Sequence, residues 1–102
     1  MYRNGQGVDK NNTESYRLIK LSADQGSIPA INNLGNSYRL GVGVPQSYIE
    51  AFKYYKLAAE KGNAYGQANL SNAYRLGQGV DRNLDLAFEW ALKSSKQNNA
   101  NF

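Results

Sequence analysis

Residues 38–44 read YRLGVGV and residues 74–80 read YRLGQGV, the same phrase 36 residues apart. A looser version, YRNGQGV, occupies residues 2–8, another 36 residues upstream. A phrase that returns every few tens of residues marks a stack of supersecondary units, because one small unit cannot bury its own apolar face. The register spreads outward from the phrase. Asn33, Leu34 and Asn36 return as Asn69, Leu70 and Asn72, and Ala51 and Phe52 return as Ala87 and Phe88. Ser15 and Tyr16 hold the matching places in the first copy. Gly26 and Gly62 close two copies, and Asn98 takes that place in the third.

Each full copy predicts two helices. The first covers 28–40, and again 64–76. Ser27, just ahead of Pro29, and Asn63 are good N-cap residues. Leu34 and Tyr38, like Leu70 and Tyr74, stand four apart and share a helix face. Gly41 and Gly77 predict left-handed C-caps. Gly43 and Gly79 then let the backbone turn before Val44 and Val80 pack inward. The second helix opens at Ser47, whose spacing to Glu50 is that of a capping box. Asn11 to Glu14 is an asparagine version, and Asn83 with Asp85 repeats the trend. Apolar residues follow at helical intervals: Ala51, Phe52, Tyr55, Ala58 and Ala59 in one copy, Ala87, Phe88, Ala91 and Leu92 in the next. The first copy supplies Tyr16, Ile19 and Ala23. The expected core is therefore Leu34, Tyr38, Phe52, Tyr55, Ala58, Leu70, Tyr74 and Phe88.

The glycines, aromatics and period together resemble the Sel1-like repeat, a relative of the tetratricopeptide repeat with a slightly longer unit. The resemblance is carried by Ala30, Leu34, Gly35, Tyr38, Gly41, Gly43, Val44, Ala51, Tyr55, Ala58, Ala59 and Gly62, and again by Leu70, Tyr74, Gly77, Gly79, Val80 and Ala87. The last copy departs from the pattern with Gly66 for alanine, Ser71 for glycine, and Ser94 and Ser95 for the Ala-Ala pair. The fold this resemblance implies is all-α: a right-handed α-solenoid of antiparallel helix pairs. It would form a single domain over 1–102, with a partial unit at 1–26, full units at 27–62 and 63–98, and a frayed tail at 99–102. Phe102 is expected to pack over the last helix.

Bulk properties narrow the function. The chain has no cysteine and no histidine, so thiolate chemistry is absent and the commonest zinc ligands are missing; no metal and no cofactor are expected. Its formal charge is +4, from 12 basic and 8 acidic residues, with no concentrated basic patch, which argues against nucleic acid. No apolar run is long enough to insert in a membrane. The opening MYRNGQGVDKNN lacks the apolar core of a signal peptide, so a cytoplasmic location is the default expectation. The carboxylates fall mostly at helix starts, where capping accounts for them, and no catalytic residue is assigned. The paired glycines lack the lysine and preceding strand of a phosphate loop.

The resemblance implies an adaptor or scaffold that binds another protein or a peptide. Bacterial members of the family are linked to host interaction, envelope assembly and immunity to toxins, so a dedicated inhibitor of one partner is the alternative. The sequence adds Arg3, Arg39 and Arg75, one after each repeated tyrosine. Asn36 and Asn72 lie three residues before the last two, and Asn33 and Asn69 three before those. These residues predict a polar stripe able to bond the carbonyls or carboxylates of an acidic or extended peptide. The alternative for the same residues is structural, with arginine stems covering apolar surface and asparagines bonding between repeats. Tyr48, Tyr54, Tyr65 and Trp90 are either interface anchors or packing between repeats. An apolar flank on the N-terminal helix would favour weak self-association.

Overall fold

A computed structural model describes residues 10–100, the last three as backbone alone. Five helices run in order: α1 (Lys10–Asp24), α2 (Ile28–Leu40), α3 (Tyr48–Glu60), α4 (Ala64–Leu76) and α5 (Leu84–Ala100), with no strand among the described residues. Each helix packs on its neighbours in sequence, so the chain is an all-α solenoid of helix pairs. The first phrase, with Arg3, lies outside the described residues, as does Phe102. The last helix runs on to Ala100, into the stretch expected to be a tail.

The caps explain where the helices start. Ser27 Oγ accepts from Ala30 N–H at 3.4 Å, Asn63 Oδ1 from Gly66 N–H at 2.7 Å, and Asn83 Oδ1 from Leu86 N–H at 3.0 Å. Each cap of this kind contributes about 1 kcal/mol. At Ser47 only half of the capping box forms. Its hydroxyl accepts from Glu50 N–H at 3.2 Å, but the Glu50 carboxylate turns to Lys53. The Ser47 N–H instead donates to the Tyr38 carbonyl at 2.8 Å, one of the orphan acceptors at the end of α2, and Asn83 N–H does the same to Tyr74 at 2.9 Å. α1 begins at Lys10, so Asn11, expected at the cap position, lies inside its first turn.

The loops after α2 and α4 hold the repeats together. Gly41 and Gly77 end their helices at φ 72° and 70°. Gly43 and Gly79, also at positive φ, are pressed against the helix of the preceding unit: a Cβ on Gly43 would collide with the Asn12 carbonyl, and one on Gly79 with the Tyr48 carbonyl. The sequence repeats glycine here because the repeats touch backbone to backbone.

Leu34, Leu70, Tyr55 and Ala58 are buried as expected, while Tyr38, Phe52 and Tyr74 are half-buried. Phe88 is not core: it is 68% exposed. Its counterpart Phe52 lies edge-on to Tyr74 of the next unit, with ring centroids 5.5 Å apart, and among the described residues no such helix covers α5. The exposed flank expected on the N-terminal helix is present at Leu18 and Leu21.

The departures of the last copy are compensated in space. A Cβ on Gly35 would stand 2.6 Å from two ring carbons of Tyr55. One repeat later the ring is replaced by Ala91, and Gly35 by Ser71. The Ser71 hydroxyl uses the vacated room to donate to the Ala87 carbonyl at 2.6 Å. Ser94 likewise donates to the Ala64 carbonyl at 2.9 Å, and Gln97 Nε2 to Gln67 Oε1 at 2.9 Å. The α4–α5 contact is thus a hydrogen-bonded seam where the α2–α3 contact is aromatic.

At the opposite end, Tyr16, Tyr38 and Tyr54 form a continuous aromatic edge. The Tyr16 and Tyr38 hydroxyls share a 3.0 Å hydrogen bond, and Tyr38 stacks on Tyr54 with centroids 5.7 Å apart. That hydrogen bond, helped by burial, pushes the Tyr38 phenol up to about 12, and burial pushes Tyr54 up as well. The folded state therefore keeps protons that the unfolded chain releases near its ordinary phenol value. This stabilisation is complete below about pH 10 and is lost as pH rises toward about 12. Melting temperature followed by circular dichroism should fall across that interval, and Tyr16→Phe should make the fall shallower.

Candidate functional site

A concavity of about 210 Å³ lies where α2, α3 and α4 meet. Arg39, at the end of α2, forms one side. Asn69, Asn72 and Arg75, spaced by three along α4, form the other, and Tyr48 and Phe52 of α3 stand between them. The site is built from the two kinds of element the repeat supplies. The leading helices carry arginine in their last turn, between the core tyrosine and the Gly41 or Gly77 cap, and both guanidinium groups line the same cleft.

Beneath Arg39 sits a buried phenol that the repeat pattern marks only as core. The Tyr55 hydroxyl donates to Asn36 Oδ1 at 2.6 Å, and Arg39 Nε donates to that hydroxyl at 2.9 Å. Burial pushes the Tyr55 phenol up, and the Arg39 charge draws it part of the way back. This chain fixes the direction of Arg39 while leaving its terminal nitrogens for other partners. Across the cleft, Arg75 Nη2 donates to Asn72 Oδ1 at 3.1 Å. Among the described residues, neither guanidinium has a carboxylate within salt-bridge distance. Two oriented cations without counter-charges, beside amides and two aromatic walls, are suited to hold a carboxylate on an extended chain.

Four of the six stripe residues meet here: Arg39, Asn69, Asn72 and Arg75. Asn36 is one bond away, behind Tyr55. Asn33 is elsewhere, in a shallow groove between α1 and α2 with Leu18, Ile19 and Ala30. The reason is that a cleft forms between units, taking its arginine from one and its asparagines from the next. Asn33 therefore belongs to the preceding inter-unit groove. Asn69 also has the structural role anticipated for it, donating to Asn32 Oδ1 at 2.9 Å and tying α4 to α2.

Asn32 and the Tyr55 hydroxyl are the contributors to the cleft's hydrogen bonding that repeat reasoning missed. Asn32 did carry a signal: it is buried, and its counterpart one repeat later is Ala68, so it breaks the period. Of the undecided aromatics, Tyr48 lines the cleft, Tyr54 stacks on Tyr38, Trp90 packs against the core and Tyr65 is largely exposed. No helix among the described residues is long and apolar enough to cross a membrane.

A family model for the Sel1 repeat matches residues 1–27, 28–63 and 64–99. A crystal structure of a Sel1 repeat protein from Oxalobacter formigenes is similar, with 34% identity and a TM-score of 0.81 over 83% of this chain and 65% of that one. So is c5321, a protective antigen present in uropathogenic Escherichia coli strains and displaying an SLR fold. It is 37% identical with a TM-score of 0.83, over 92% of this chain and 20% of that one. The chain thus spans less than two thirds of the length of either. No curated protein matches it. Sel1 repeats generally act as protein–protein interaction modules, and the family is typically a non-enzymatic scaffold.

Proposed function

The chain belongs to the Sel1 repeat family, and from that premise we propose that it binds another protein by an acidic or C-terminal segment held in the α2–α3–α4 cleft. The observation that carries this reading is the pair of guanidinium groups, Arg39 and Arg75, facing one cleft with no carboxylate partner among the described residues. The cleft is smaller than a typical small-molecule pocket of roughly 300–1,000 Å³. Its size suits one or two anchoring groups of a larger partner, with Asn69 and Asn72 bonding the peptide backbone and Tyr48 and Phe52 taking its apolar part.

The test is fluorescence polarisation with labelled acidic peptides, each prepared with a free and an amidated C-terminus. Charged hydrogen bonds of this kind contribute about 1.5–3 kcal/mol each, so Arg75→Ala should weaken binding about tenfold or more. Arg39→Ala together with Arg75→Ala should abolish it. Amidation alone should cost affinity if the anchor is a chain terminus, and Glu→Gln peptides should if it is a side chain. Unchanged affinity in the double variant would overturn the proposal. Capture of one tight partner through the same residues would favour the dedicated-inhibitor form of this function, and several weak partners the adaptor form.

A further inference from the structure

On α5, Leu84, Phe88 and Leu92 follow one another at intervals of four and are 54%, 68% and 44% exposed. They form one apolar stripe. The matching stripe on α3 reads Tyr48, Phe52 and Lys56; Tyr48 is 42% exposed and Lys56 is exposed, but Phe52 is half-buried, and beside it Tyr55 and Ala59 are each only 2% exposed. Their counterparts on α5, Ala91 and Ser95, are exposed. The change from Lys56 to Leu92 makes the α5 stripe the more apolar of the two.

The charges beside the stripe are ordered. Asp85 and Glu89 flank its first half and Lys96 its second, all on one side, and among the described residues none of the three has an ion-pair partner. Asp85 and Glu89 are four apart and repel each other. Lys93 is already engaged, with its ammonium 4.3 Å from the centre of the Trp90 ring. α1 also exposes leucines, but its charges are closed within the helix as Arg17–Glu14 and Lys20–Asp24 pairs. The two exposed flanks therefore differ in what they offer a partner.

We propose that α5 is a self-association surface, covered by α5 of a second copy running antiparallel about a two-fold axis near residue 90. Such an axis sets Phe88 against the second copy's Leu92, and Asp85 beside the second copy's Lys96, each contact occurring twice. The contact is isologous and closes at the dimer. The opposed helix dipoles add to it. One helix per copy buries less than the roughly 1,600 Å² of a standard interface, so the dimer is weak.

Sedimentation equilibrium from about 20 µM to about 1 mM brackets such an affinity. The wild-type chain should rise from monomer toward twice the monomer mass. Phe88→Lys should stay monomeric, with helix content and melting unchanged because the ring is exposed. Asp85→Lys and Lys96→Asp alone should each weaken association about tenfold, since two attractions become two repulsions. The double reversal should recover it. A wild-type monomer throughout, a Phe88→Lys variant that still dimerises, or a double reversal no better than its parents would each overturn the proposal.

Discussion

Gly79→Ala is expected to lower stability by about 3 kcal/mol or more, while Gly77→Ala, two residues earlier, costs only about 1 kcal/mol. Both glycines have positive φ, 70° at Gly77 and 77° at Gly79, so an alanine at either position meets the same left-handed penalty. They differ in what surrounds them. A Cβ at Gly77 would come no closer than 3.5 Å to Arg82, ordinary contact distance. A Cβ at Gly79 would be driven into the carbonyl of Tyr48, with the carbonyl carbon 2.6 Å away. That obstacle is backbone in the first turn of α3, held by the Ser47 cap, and it has no side-chain rotamer through which to escape. The loop between α4 and α5 would have to lift off α3, loosening one repeat from the next. For a domain of this size the loss corresponds to a fall in Tm of more than about 10 °C. Thermal melts of the two variants side by side decide the matter. Equal melting temperatures would mean that φ strain, not close approach, explains the repeated glycine.

Gly35→Ala should also be damaging, at about 1–3 kcal/mol from overpacking, and its rescue is the more informative measurement. The added methyl would sit 2.6 Å from two ring carbons of Tyr55. The ring cannot retreat, because it is 2% exposed and its hydroxyl is bonded to both Asn36 and Arg39. The protein contains its own answer one repeat later, where Ser71 and Ala91 occupy the same two positions. In a double-mutant cycle, Gly35→Ser and Tyr55→Ala should each destabilise, the second through the cavity it leaves. The pair together should be less harmful than their sum by a coupling of about 1 kcal/mol or more. Chemical denaturation of the four proteins measures that coupling directly. Strict additivity would show that the glycine and the ring are not a matched pair. Because Tyr55 also orients Arg39, the double variant should weaken peptide binding even where it folds well. That outcome would connect the repeat core to the cleft.

Much of this molecule was legible before folding. The bounds of α2 and α4, their Ser27 and Asn63 caps and their Gly41 and Gly77 ends all follow from local backbone chemistry. So does the convergence of Asn69, Asn72 and Arg75, since residues spaced by three on one helix share a face. Such features depend only on residues close in the chain. A period of 36 repeats them faithfully from unit to unit.

What tertiary structure alone decided are the matters that depend on which unit lies next door. Phe52 and Phe88 occupy the same place in the repeat, yet one is covered by Tyr74 and the other is exposed. Asn33 and Asn69 likewise share a place, and only Asn69 reaches the cleft. The Tyr55 hydroxyl, marked by the sequence as part of a core ring, became the strut beneath Arg39 once α2 and α3 packed together. Sequence periodicity describes a unit in isolation, but burial and clefts arise at the contacts between units. By itself the sequence determined the repeat and its helices; the stacking of those repeats decided which identical residues are core, which line a site and which remain on the surface.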